Sequence, residues 1–101
     1  MKKGNGKGDG RHVFRLYVAG SAPRSARAVQ NLKSLCDLHL RGGHQVDVVD
    51  VLREPARALE DGILVTPTLV RLSPGKPIRI VGDLSDTPAL LAALGLPLAE
   101  P

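Results

Sequence analysis

Apolar and polar positions change period several times along this chain, and each change marks an element. His12–Val18 (HVFRLYV) alternates, setting Val13, Arg15 and Tyr17 against Phe14, Leu16 and Val18. Both sets are partly apolar, as in a strand inside a covered sheet. Ala19-Gly20-Ser21-Ala22-Pro23 turns the chain, with Ser21 or Ala22 at a cap and Pro23 suited to a first helical turn. From there to about Arg41, the residues Ala22, Ala26, Val29, Leu32, Cys36 and Leu40 recur every three or four positions. Leu35 and Leu38 widen the stripe, and Gly42-Gly43 ends it. That spacing predicts a long amphipathic helix.

Gln45–Val51 (QVDVVDV) returns to period two, with Val46, Val48 and Asp50 on one face and Asp47, Val49 and Val51 on the other. Glu54-Pro55 starts a short helix, Pro55 to about Asp61, with Ala58 and Leu59 turned inward and Gly62 stopping it. Two β-prone runs follow, Thr68–Leu72 and Ile78–Val81, joined by a loop carrying Pro74, Gly75 and Pro77. This reads as an antiparallel hairpin. Pro67 cannot donate to a ladder, so it belongs at a strand start or an edge. Gly82-Asp83-Leu84-Ser85-Asp86 breaks the second run, and Asp86–Leu94 (DTPALLAAL) predicts a closing helix with Pro88 in its first turn and Gly95 at its end. Pro97 and Pro101 discourage any continuation.

The order is therefore β-α-β-α-β-β-α. A right-handed crossover joins the first two strands in parallel. The hairpin makes the sheet mixed, and the helices cover both faces. The fold class expected is α/β, thioredoxin-like.

Composition narrows this reading without altering it. A chain of 101 residues suits one domain. Phe14 and Tyr17 are the only aromatics, which fits an aliphatic core and removes the stacking surface a nucleic-acid partner needs. The formal charge of +4 is unevenly placed: Lys2, Lys3, Lys7 and Arg11 against Asp9 leave +3 on residues 1–12, and +1 on the rest. That glycine-rich stretch buries too little apolar surface to order itself. It is expected to be a disordered basic leader, followed by a folded domain over 13–96 and a short tail at 97–101. With no apolar run of membrane-spanning length and no signal-peptide core, a cytoplasmic location without membrane partners is expected.

Candidate chemistry is sparse. Cys36 is the sole cysteine, which leaves no internal disulfide and no thiolate metal cluster. A thioredoxin-like enzyme keeps Cys-x-x-Cys after its first strand, where the helix N-terminus favours a thiolate. Here the loop Ala19–Ser25 holds no sulfur. His12, His39 and His44 lack metal spacing, and Asp47 and Asp50 fall on opposite strand faces, where they read as solvated charges. Gly4, Gly6, Gly8 and Gly10 follow no strand and open no helix, so they fail as a phosphate loop. Neither catalysis nor a cofactor nor a metal is expected.

Several short motifs point further. They are Leu16-Tyr17-Val18-Ala19-Gly20, Pro23, Arg27-Ala28, Val49-Asp50-Val51-Leu52, Pro55, Ile63-Leu64, Thr66-Pro67-Thr68-Leu69 and Gly82-Asp83-Leu84-Ser85. In this order and spacing, from about residue 13 to 96, they resemble the KaiB family of circadian clock proteins. The resemblance implies a non-catalytic protein that binds the N-terminal ATPase ring of KaiC, sequesters KaiA, and turns KaiC from phosphorylation to dephosphorylation. It implies a metamorphic chain, whose second half refolds between a tetramer-forming ground state and a thioredoxin-like state. It also implies that a KaiB-like histidine-kinase domain competes for the same site.

On that resemblance the partner contact falls on the second helix and its approach: Asp50, Arg53, Glu54, Pro55, Leu59, Asp61 and Gly62. Arg15, Arg27 and Arg79 match basic positions of the family. Pro67, Pro74 and Pro77 lie where the two folds must differ; X-Pro bonds isomerise slowly, though such prolines also simply stiffen loops. Pro67 sits where thioredoxin-like proteins keep a cis proline. Two departures matter. Clock KaiB proteins carry a longer acidic tail than Glu100-Pro101, and Ala93-Leu94-Gly95 stands where they have Gly-Leu-Asp. Alanine for glycine inside a helix is worth about 1 kcal/mol, so a resting thioredoxin-like monomer or small homo-oligomer is expected. The remaining functional readings are a module acting on a histidine kinase and a redox-inactive thioredoxin-like adaptor in stress response.

Overall fold

In a computed structural model, which describes residues 11–97, the elements follow the expected order. They are β1 (His12–Val18), α1 (Pro23–His39), β2 (His44–Asp50), α2 (Pro55–Glu60), β3 (Thr68–Ser73), β4 (Ile78–Val81) and α3 (Thr87–Leu94). The expected leader, but for Arg11 and His12, and the tail beyond Pro97 lie outside the described residues. His12 is part of the sheet, opposite His44.

The sheet runs β2-β1-β3-β4. β1 and β2 are parallel, β3 is antiparallel to both β1 and β4, and a register shift falls between Val13 and Phe14. Even-numbered residues of β1 face one layer. Phe14, Leu16 and Val18 pack there with Leu69 under α1 and α3, whose Ala28, Leu32, Leu35, Cys36, Leu90, Leu91 and Leu94 close the cluster. The other face carries a smaller cluster of Tyr17, Val49, Ala58 and Val70 beneath α2. A buried leucine contributes about 1.5–3 kcal/mol, and the first cluster holds nine of them. Most of the stabilisation therefore lies on the α1/α3 side, and α2 is the thinly held layer.

Two expectations about helix faces are corrected. α1 buries Ser25, Ala28, Leu32, Leu35 and Cys36, while Ala22 and Ala26 are exposed and Val29 and Leu38 are 39% and 73% exposed. The stripe is rotated because Ser25 is drawn inward: its hydroxyl accepts from Ala19 N–H at 3.0 Å, locking the turn after β1. The helix also stops short of Arg41, since Leu40 leaves helical geometry to enter the core. In α2, Ala58 is buried as expected but Leu59 is 81% exposed. A helix of six residues over one sheet face has room for a single inward row.

α3 is helical from Thr87, with Asp86 as its N-cap and Gly95 as its C-cap in the left-handed region at φ 72°. Glycine tolerates that conformation at little cost.

Candidate functional site

The α2 face combines an apolar groove with a knot of charge. Pro55, Ala58, Leu59, Ile63, Leu64 and Val65 line a groove of about 450 Å³. Its rim is unusually apolar, with Leu64 93% and Val65 49% exposed. Leu52, on the approach to α2, is 71% exposed and would lie 3.3 Å from a Cβ on Gly20. Apolar side chains held out to this extent on one face mark a docking surface more often than chance.

Beside the groove, Arg15 donates from Nε to Asp47 at 3.3 Å and from Nη1 to Asp61 at 3.1 Å. Tyr17 Oη also donates to Asp61. Arg57, from α2, donates to Asp47 at 2.6 Å and to Glu54 at 3.3 Å. Arg79 reaches across from β4 to the carbonyls of Asp61 and Gly62. The hydrogen bond from Arg57 is the first reason the Asp47 carboxyl is held below its ordinary value; Arg15 adds to this and partial burial opposes it. Sheet and helix are thus tied by charge where the apolar contact is small.

Among the residues named from sequence, Asp50, Glu54, Pro55, Leu59, Asp61, Gly62, Arg15 and Arg79 are gathered on or beside α2. Asp50 is no loose surface charge: its Oδ1 accepts from Gly20 N–H and Leu52 N–H, both at 3.0 Å, pinning the loop after β1 to the approach of α2. Asp47 is likewise engaged by two arginines, against the expectation of a solvated charge. Arg53 is exposed, and its N–H donates to the Asp50 carbonyl. Arg27 is not part of this face. It lies on α1, across the sheet, paired with Asp83 at 3.3 Å.

The Thr66–Pro67 and Ser73–Pro74 peptides are cis. Pro67 is buried and its carbonyl accepts from Gly82 N–H, while Pro77 is exposed before β4. Ala93 is exposed within α3, two residues before the Gly95 cap. Tyr17, Asp47 and Arg57 were not singled out as site residues from sequence. A signal existed for one pair, because in a parallel β1–β2 ladder Arg15 stands opposite Asp47.

Cys36 is buried at 1% exposure, and burial first, then the Asp37 charge, pushes its thiol up to about 11. Among the described residues no cluster of histidine, cysteine and carboxylate side chains could hold a metal ion. Among them, too, no helix is long and apolar enough to cross a membrane.

Comparison with known proteins gives a consistent picture. The pattern of the KaiB domain matches residues 15–96. The circadian clock oscillator protein KaiB of Synechococcus elongatus is 43% identical over 89 residues, covering 88% of this chain and 87% of that protein. Its counterpart in Parasynechococcus marenigrum is 44% identical over 85 residues, covering 84% and 82%. In structure, the chain is similar to the N-terminal domain of Synechococcus elongatus SasA, with a TM-score of 0.72 at 22% identity over 99% of this chain and 95% of that one. It is similar also to mitochondrial thioredoxin 3 of Saccharomyces cerevisiae, with a TM-score of 0.68 at 19% identity over 86% and 80%. At those identities the two structures speak to the fold alone.

Proposed function

The chain belongs to the KaiB family, and we propose that it is a non-enzymatic clock protein that docks on a KaiC-type ATPase through the α2 face and modulates its phosphorylation state. The observation that carries this reading is the exposure of Leu59 and Leu64, at 81% and 93%, beside a charge network that fixes α2 in place. An apolar rim bordered by charge suits a protein surface, which supplies desolvation at the centre and polar pairing at the edge. The absence of catalysis is part of the proposal. It is supported by a loop after β1 without sulfur and by a buried Cys36 whose thiol stays protonated at neutral pH. Docking in the thioredoxin-like form, in the cytoplasm, completes the reading.

The test is co-precipitation with the KaiC-type ATPase of the same genome. Binding is expected to survive Cys36→Ser and to be lost with Leu59→Asp, which alters an exposed position and spares the core. Retention of a histidine kinase while the ATPase is ignored would transfer the role to kinase input.

A further inference from the structure

The stretch between α2 and β3 leaves much of its main chain unused. Ile63 N–H donates to the Ala58 carbonyl at 2.9 Å, and the Val65 carbonyl accepts from the Thr68 hydroxyl at 2.7 Å. Among the described residues, nothing pairs with the N–H or C=O of Leu64 and of Thr66, or with the N–H of Val65. Main-chain groups of this kind are satisfied by the protein, by water or by a guest. Pro67 ends the series, because it has no N–H and its carbonyl is taken by Gly82 N–H at 3.0 Å.

The same three residues form one wall of the α2 groove, opposite Val51, Pro55 and Ala58. Among the described residues that line the groove, none is charged. Beside it, Arg15 and Arg57 are engaged by carboxylates, and Arg79 by the carbonyls of Asp61 and Gly62. Ionic attraction has little to offer inside the groove, whereas main-chain pairing has much.

We propose that the groove receives its partner as an extended, uncharged segment that pairs main chain to main chain with residues 64–66. This rests on the reading of the α2 face as a protein-docking surface and adds what the partner must present there. Successive side chains of an extended segment point to opposite sides. One apolar side chain of the guest then enters beside Pro55, Ala58 and Ile63, and its neighbours turn to solvent or onto Leu64, which is 93% exposed. In recognition of this kind the main-chain bonds give affinity and the side-chain pocket gives selectivity. A guest helix has its own N–H and C=O groups bonded internally. It would cover the free groups of residues 64–66 without satisfying them, and that cost selects the extended guest. The host segment is held at both ends, by Ala58 and by Thr68, so less freedom is lost when it binds. With three residues taking part, the rack is also too short to recruit strands at random.

Two measurements test this. The first needs no natural partner. The peptide acetyl-Thr-Val-Thr-Leu-Thr-amide is titrated into the isotope-labelled full chain, beside a twin that is N-methylated at its inner residues. Amide shifts are expected at residues 64–66 and along the groove. The twin, which cannot donate, is expected to bind about tenfold more weakly or worse. The second measurement is hydrogen exchange on the complex with the ATPase proposed above, in which the amides of Leu64, Val65 and Thr66 are expected to slow about tenfold or more. The proposal is overturned if peptide and twin bind alike, if the shifts fall on another face, or if the peptide does not bind at millimolar concentration. It is overturned equally by an ATPase complex in which the three amides exchange as in the free chain, a result that keeps the partner and removes the mode. A chain that discriminates peptide from twin yet ignores the ATPase supports the mode and retires that partner.

Discussion

Tyr17 donates its phenolic proton to the Asp61 carboxylate, linking β1 to the end of α2 across 44 positions of sequence. Tyr17 has no exposed surface, and Asp61 also accepts from Arg15 at 3.1 Å. A hydrogen bond to a charged acceptor contributes about 1.5–3 kcal/mol when buried, and less where the acceptor is partly wet. Asp61 is partly wet, its side chain being 37% exposed. Tyr17→Phe is therefore expected to lower unfolding stability by about 1 kcal/mol. In an Asp61→Ala background the same change is expected to cost clearly less, because its acceptor has gone. Urea unfolding of the four proteins of this cycle measures the coupling, and additive losses would show that the two groups are not partners in solution.

Acid should loosen the same region. Arg57 first, then Arg15, holds the Asp47 carboxyl below its ordinary value. A carboxyl whose folded value is depressed adds stability that is present above its unfolded value, about pH 4, and that is lost as pH falls through the folded value. The stability difference between the wild-type chain and Arg57→Ala is thus expected to be present at neutral pH and to be lost as pH falls through the folded value of Asp47. Urea midpoints across that range measure it. A difference independent of pH would assign Arg57 a packing role instead.

The ends of α3 offer a third test. Asp86 Oδ1 accepts from Ala89 N–H at 3.1 Å, and Gly95 closes the helix in the left-handed region with open space around it. Loss of such an N-cap costs about 1 kcal/mol, and a Cβ in left-handed geometry about 1–2 kcal/mol. Asp86→Ala and Gly95→Ala act at opposite ends of the helix, so their effects are expected to add. Thermal unfolding gives the sum, and backbone chemical shifts of residues 87–94 show whether the helix persists.

The elements were legible because their signals are local. Pro23, Pro55, Pro88 and Gly95 punctuate helices, and the alternation in residues 12–18 and 45–51 can come only from strands. The inward face of α1 was not legible, because Ser25 is buried by a hydrogen bond to Ala19 that hydrophobicity does not encode. Leu59 was misplaced for a related reason. Short helices carry too few positions for periodicity to decide a face, and Ala58 alone meets the sheet. Of the α2 face, the resemblance supplied the acidic and apolar residues. Tyr17 and Arg57 were hidden, since their roles depend on α2 crossing β1 and β2, a tertiary fact. Arg27 matched a basic position by sequence alone, and the sheet separates it from α2.

Arg71 presents the sharpest energetic question in the core. It is 8% exposed, pairs with Phe14 across β3 and β1, and donates from Nη1 to the Leu94 carbonyl at 3.1 Å, where the negative end of α3 arrives. Its Nε is buried with no partner among the described residues. The bond to a helix C-terminus is favourable, by about 1.5–3 kcal/mol for a charged donor, while an unsatisfied buried donor costs about 1–3 kcal/mol. The two effects nearly cancel, so Arg71→Met, which keeps the volume and removes both, is expected to leave stability within about 1 kcal/mol of the wild-type chain. Arg71→Ala also opens a cavity beside Phe14 and Leu94, and it is expected to cost about 2–4 kcal/mol. Urea unfolding separates the alternatives. If methionine proves as damaging as alanine, the guanidinium bond to α3 outweighs its own desolvation, and the closing helix is held chiefly by charge.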